Sequence, residues 1–219
     1  GGGLYIYSST ADITSSSFSS NTAAYGYSGG GLYIYSSTAD ITNSTISSNT
    51  AGYYGGGLFI DSSTADITIS TISSNTAAYD GGGLYITSST ADITNSTISS
   101  NTAVLQGGGA FLSGGHSYVE ACVFSNNSAP NGGGLYVSYE EVFMGTALDI
   151  NSNSATTNGG GIFVLAASYS LVSSFISGNS AVSGGGRITV VDGMTVVDIF
   201  IEGSASCISL SILSILIFS

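Results

Sequence analysis

Positive charge is almost missing from this chain. Its 219 residues hold one arginine (Arg187), no lysine and one histidine (His116), against 13 acids, for a formal charge of −12. That balance excludes a nucleic-acid partner, because phosphate binding needs a Lys/Arg footprint. It equally excludes attraction to an anionic membrane surface. Charge of either sign is scarce, at 6% of residues beside 42% hydrophobic ones, the reverse of a disordered segment. No run of 18 apolar residues occurs, so no membrane-spanning helix is expected. There is no tryptophan, one proline (Pro130) and two cysteines (Cys122 and Cys207). Glycine triplets recur, but without a following Lys or helical period they are not phosphate cradles.

What is present is one pattern, repeated. GGGLYIYSSTADIT from Gly1 returns as GGGLYIYSSTADIT from Gly29, GGGLFIDSSTADIT from Gly55 and GGGLYITSSTADIT from Gly81. Weaker copies open at Gly107, Gly132, Gly159 and Gly184, giving eight repeats 25 to 28 residues apart. Periods of this length mean a solenoid. Within a repeat, Leu4 and Ile6 alternate with Tyr5 and Tyr7, and Ala11 and Ile13 with Thr10, Asp12 and Thr14. A third stretch, FSSNTA, follows, and turn-forming Ser, Asn and Gly separate the three. Three short strands per coil, with no helical period anywhere, predict an all-β fold: a right-handed parallel β-helix of about eight coils.

Columns of equivalent residues support this. Asn21, Asn49, Asn75, Asn101, Asn127, Asn153 and Asn179 recur at 28 and then 26 residues, each three positions after Phe or Ile. Such amides are expected to hydrogen-bond along the axis as a ladder. Leu4, Leu32, Leu58, Leu84, Ala110, Leu135 and Ile162 form an apolar column, and Ile6 starts another. At the strand spacing, eight coils make a rod on the order of 40 Å long. Residues 1–206 read as a single domain, and the apolar segment 207–219 as a terminal strand or cap. The chain starts in mid-pattern with neither an initiator Met nor a leader pattern, which reads as a processed protein or a piece of a longer one.

The GGG-aliphatic-aromatic run followed by F/I-x-x-N resembles the GGAI and FxxN repeats of the polymorphic outer membrane proteins of chlamydiae. It is also similar to pectin-lyase-like right-handed β-helix surface proteins. The likeness covers roughly residues 1 to 206, with GGGL in place of GGAI and Ile often in place of Phe. It implies an adhesive surface domain.

Candidate sites follow from the outward columns. Asp12, Asp40, Asp66 and Asp92 line up. They are read as a solvated acidic stripe, with Ca²⁺ ligation the alternative; the calcium motif GGxGxD is absent. Thr10, Asp12 and Thr14 with their equivalents predict a grid three wide and four deep; ice binding is the functional reading, β-propensity the plain one. Tyr5, Tyr33, Phe59, Tyr85, Phe111, Tyr136 and Phe163 form an aromatic column expected to face out, as an interface or a platform for sugar rings. Intramolecular stacking is the plain reading of that column. Asn43, Asn95 and Asn126 head N-glycosylation sequons. Cys122 and Cys207 lie too many coils apart for an internal disulfide, leaving two buried thiols or a link to another chain. His116 and Arg187 stand about 14 Å apart along the axis. A polysaccharide lyase or hydrolase therefore lacks convergent groups, and no catalytic residue or cofactor is expected. The first coil looks like an internal one, so its strand edges invite stacking, and repeated translation makes an open filament. The reading that emerges is a structural subunit of an extracellular fibre, surface appendage or adhesin, partnered by itself or the rest of a longer chain. A carbohydrate- or ice-binding module is the alternative.

Overall fold

The computed structural model describes residues 1–139, 142–183, 185, 188–201 and 208–211, with 166–167, 188–201 and 208–211 described by backbone alone. Glu140, Glu141, Gly184, Arg187, Ser204, Cys207 and most of 207–219 lie outside the described residues. No helix occurs among the described residues. The strands wind into a right-handed parallel β-helix of about seven turns with three sheets.

One coil explains the rest. Strand β1 is Leu4–Tyr7, β2 is Thr10–Thr14, β3 is Ser17–Ser19 and β4 is Thr22–Ala23. The third stretch read from sequence is thus present but split, at Ser20 and Asn21. Each strand pairs in parallel with its equivalent one coil on: Leu4 with Leu32, Thr10 with Thr38, Phe18 with Ile46, Ala23 with Ala51. The same register runs through the third, fourth and fifth coils. In the seventh coil the first three stretches merge into one strand, Ile162–Ser177, and Ile188–Ile201 lies parallel to it. Ile208–Ser211 pairs in turn with Ile188–Val191.

Strands end because single residues take left-handed backbone. In coil one these are Ser8 (φ 47), Ser15 (φ 49) and Ser20 (φ 57). Their columns hold mostly Ser, Asn or Gly, and each turns the chain in one residue. Ala121, Tyr139 and Ala147 also stand at these corners, but only Ile69 (φ 52) places a β-branched side chain in a conformation that crowds its Cβ.

After each corner comes a residue whose side chain turns inward, and here the interior is polar. Asn49, Asn75, Asn101, Asn127 and Asn153 are fully buried. The Asn49 backbone N–H and Nδ2 both donate to Asn75 Oδ1, at 2.9 and 3.0 Å. Asn75 Nδ2 donates to Asn101 Oδ1 and back to the Ile46 carbonyl. Every donor and acceptor of the amide is thereby used. The ladder runs from Asn21 to Asn179.

Two serine ladders accompany it. Ser9, Ser37 and Ser63 each donate a backbone N–H to the Oγ of the next coil's serine, ending on Ser89. Ser16, Ser44 and Ser70 do the same, ending on Ser96. Each hydroxyl in turn donates to the carbonyl two residues before it, as Ser37 does to Tyr35 and Ser44 to Thr42. Between the ladders pack the stacked Leu, Ile, Ala and Phe side chains of one continuous core.

The glycine triplet fits against this interior. Gly55 takes φ 64. A Cβ on Gly57 would lie 2.7 Å from the Gly83 carbonyl oxygen and 2.9 Å from Asn75 Nδ2. The third glycine therefore leaves room for the asparagine ladder.

Asn75→Ala leaves two donors of Asn49, the Oδ1 of Asn101 and the Ile46 carbonyl short of a partner, and should destabilise the protein by about 4 kcal/mol in denaturant titration. Asn21→Ala, in a half-buried position, should cost about 1 kcal/mol. Ile69→Asn relieves the corner strain and should raise stability by about 1 kcal/mol, read as a higher Tm.

Candidate functional site

Outward from this frame stand the columns that carry any chemistry. The Thr–Asp grid is present: Thr10, Asp12 and Thr14 align with Thr38, Asp40 and Thr42, then with the triplets at Thr64 and Thr90. It ends against His116, Tyr118 and Glu120. Its aspartates are exposed, and Thr14 donates to Asp12 Oδ1 at 2.6 Å. Burial raises the Asp66 carboxyl above the usual range, with Asp92 and Asp40 adding repulsion. The acids form a line, and among the described residues no three His, Cys, Asp or Glu converge to hold a metal ion.

The aromatic column differs from the sequence expectation. Tyr5 is exposed and Tyr33 and Tyr85 half-buried, but Phe59, Phe111, Tyr136 and Phe163 are only 7, 7, 4 and 9% exposed. This column is therefore not one continuous outward interface, and only its first coils offer a face. The reason is mutual cover. From Phe59 to Phe163 the rings stack at 4.7 to 5.2 Å with planes within 11°. The loop before Gly55 adds to it, with the Tyr54 ring 4.7 Å from that of Tyr85. Burial pushes the Tyr85 and Tyr136 hydroxyls up to about 12.

Asp80 lies in the next such loop. Its Oδ1 is buried with no hydrogen-bond partner. Burial raises its pKa to about 6, although the backbone N–H of Gln106 partly offsets this.

A second surface feature was not foreseen. The corner between β1 and β2, repeated over five coils, forms an axial trough of about 870 Å³. Its lining is Ser-Ser-Thr in four coils, beginning at Ser8, Ser36, Ser62 and Ser88, and Gly114-Gly115-His116 in the fifth. Tyr7 and Tyr35 directly precede it in its first two coils, their rings stacked at 5.6 Å and 16°. The sixth coil carries exposed Tyr139 at the matching corner. The signal was present in the SST columns, but adjacent serines of one type gave no hint of which faced outward.

Other expected sites fall as follows. Asn43, Asn95 and Asn126 are exposed corner residues, and Asn43 Nδ2 donates to Ser15 Oγ. Cys122 is fully buried and occupies the serine column after Ser96. Burial pushes its thiol up to about 11, with the Ser96 N–H pointing at the sulfur, so it is neither a reactive thiolate nor available to another chain. His116 closes the trough, while Arg187 and Cys207 lie outside the described residues.

The Asp80 carboxylate yields a signed prediction. Its folded pKa is raised, so the native state holds the proton more tightly than the unfolded chain. Stability therefore falls as pH rises from about 3.8 to about 6. Asp80→Asn should raise Tm at pH 7 and change it little near pH 4, measured by thermal unfolding across pH.

No curated protein and no solved structure matches this chain. A family model described as "Right handed beta helix region" matches residues 30–205. With the observed parallel coils and their in-register ladders, that match places the chain in the right-handed β-helix family.

Proposed function

We propose that the protein is a structural rod: a segment of an extracellular fibre, surface appendage or adhesin that extends by axial stacking. The observation carrying this reading is the self-complementarity of the coil. The interior asparagine and serine ladders are completed by neighbouring coils of the same pattern. In the first coil, Ser9, Ser16 and Asn21 bring the same three columns to the axial face. Their acceptors match the N–H groups of another such coil, whether it continues this chain or belongs to a second copy. The outward faces are repeated columns, which suits presentation along a length better than a single tuned centre.

The test is electron microscopy and sedimentation of the 219-residue chain. Thr45 donates its N–H to the Ser16 carbonyl, so the parallel register turns the Ser17 N–H towards the axial face. Ser17→Pro removes that donor at the first residue of β3 and keeps the pairing to the second coil. Wild-type protein should associate lengthwise with rising concentration, and Ser17→Pro should shift it to single rods. Wild-type rods that stay single at every concentration would overturn the proposal.

A further inference from the structure

We infer that Tyr7 and Tyr35 form a modification site, where hydrogen peroxide and a haem peroxidase join the two rings as dityrosine, a covalent staple between the first and second coils. This goes beyond the structural role and needs no axial assembly.

Tyr7 pairs in register with Tyr35, so both rings leave the same face of the sheet in neighbouring coils. Their centroids are 5.6 Å apart and their planes within 16°. Two phenols stacked this way carry their hydroxyls at the same end, which sets the ortho carbons flanking each hydroxyl beside their counterparts. Tilting of the two side chains closes the remaining distance. Tyr7 is 56% exposed and Tyr35 half-buried, so an oxidant reaches the pair from solvent.

The step is a two-electron oxidation. Each ring loses one electron and its phenolic proton, which leaves a phenoxyl radical with spin on the ortho carbons. One carbon–carbon bond forms between an ortho carbon of Tyr7 and one of Tyr35. Both ortho C–H bonds then break, and each ring regains its aromaticity with a proton on its oxygen. The two electrons and two protons given up reduce one peroxide to two waters.

The surroundings direct oxidation to this pair. The chain contains no tryptophan to take the hole, and burial keeps the Cys122 thiol protonated and out of reach. Tyr5 lies 6.3 Å from Tyr7 and Tyr33 lies 6.4 Å from Tyr35, so the four rings form one target from which an electron can be drawn. Tyr5 and Tyr33 are poorly set to couple with each other, because their planes cross at 63°. Tyr53 and Tyr79 approach to 4.5 Å but cross at 54°. Tyr54 and Tyr85 stack at 4.7 Å, yet neither is exposed, and burial pushes the Tyr85 hydroxyl up to about 12. Further along, phenylalanine alternates with tyrosine in the Tyr5 column, and the Tyr7 column passes to Asp61. No other in-register pair of phenols therefore follows in either column among the described residues.

The bond closes a loop one coil long, and such closures stabilise by constraining the unfolded chain. It ties the first coil to its neighbour independently of the ladder hydrogen bonds.

The experiment treats dilute protein with hydrogen peroxide and a haem peroxidase, with free tyrosine as the positive control. Dityrosine fluorescence should appear, and under denaturing conditions the product should remain a single chain, lighter by two hydrogens. Digestion before each aspartate should yield residues 1–11 joined to 12–39, with fragmentation placing the bond at Tyr7 and Tyr35. Tyr7→Phe and Tyr35→Phe keep the stacked rings and remove one phenol, and each should abolish this product. Tyr25→Phe, at an exposed loop residue within 12–39, should leave it unchanged. The stapled chain should melt about 5 °C higher than the untreated one, and treated Tyr35→Phe should gain nothing. The inference is overturned if free tyrosine couples and the protein does not, if the bond maps to other tyrosines, if only joined pairs of chains form, or if the staple leaves Tm unchanged. Ser17→Pro rods should be stapled as wild type is, so a failure of axial assembly and a failure of cross-linking are separately visible.

Discussion

The structure depends on a buried hydrogen bond that reaches from one coil to the next at each corner. A single left-handed residue ends a strand, and the residue after it turns inward. An inward backbone at a corner cannot pair as a strand does, so its N–H would be left without a partner in a dry core. Such a group costs about 1–3 kcal/mol when unsatisfied. The chain meets this by placing Asn, Ser and Ser at the three inner corners, where each side chain accepts the N–H of the preceding coil. Because the partner always lies one coil away, no coil is complete alone. Stability is therefore built from interfaces between neighbours, as in other repeat arrays.

That constraint explains the composition. Small polar residues dominate because the corners need them, and the third glycine of each triplet is held small by the asparagine beside it. Where the pattern first decays in the second serine column, the geometry is retained by a substitute of similar size. Cys122 stands where serines stood, with its sulfur 3.4 Å from the Ile93 carbonyl, in the place that the Ser44 and Ser70 hydroxyls hold against Ile13 and Ile41. Within Ile162–Ser177 the second serine column returns: Ser173 takes φ 49, and the Ser174 hydroxyl accepts the Leu148 N–H and donates to the Val172 carbonyl.

Much of this was legible from residues alone. The apolar columns and the asparagine ladder were, because Leu, Ile and Asn are distinctive and recur at a fixed period. The serine ladders were not. Ser8 and Ser9 are the same residue type in adjacent positions, one a corner and the other a ladder rung, and no periodicity separates them. The aromatic column was read with the right direction and the wrong exposure. Alternation says which way Phe111 or Tyr136 points, but not that its stacked neighbours cover it. The trough escaped for a related reason. It exists because small side chains fall in register at one corner, a property of the stack and of no single repeat.

The central claim is that the corner ladders tie the coils together. Native-state hydrogen exchange measures those bonds directly. The backbone amides of Asn49, Asn75, Asn101, Ser44 and Ser70, each bonded to a side chain in the next coil, should be among the slowest to exchange and should open together. If they exchange as fast as the amides of the exposed loop at Tyr25–Tyr27 while the strand amides stay protected, the ladders are ornaments on a sheet that holds without them, and the account is wrong.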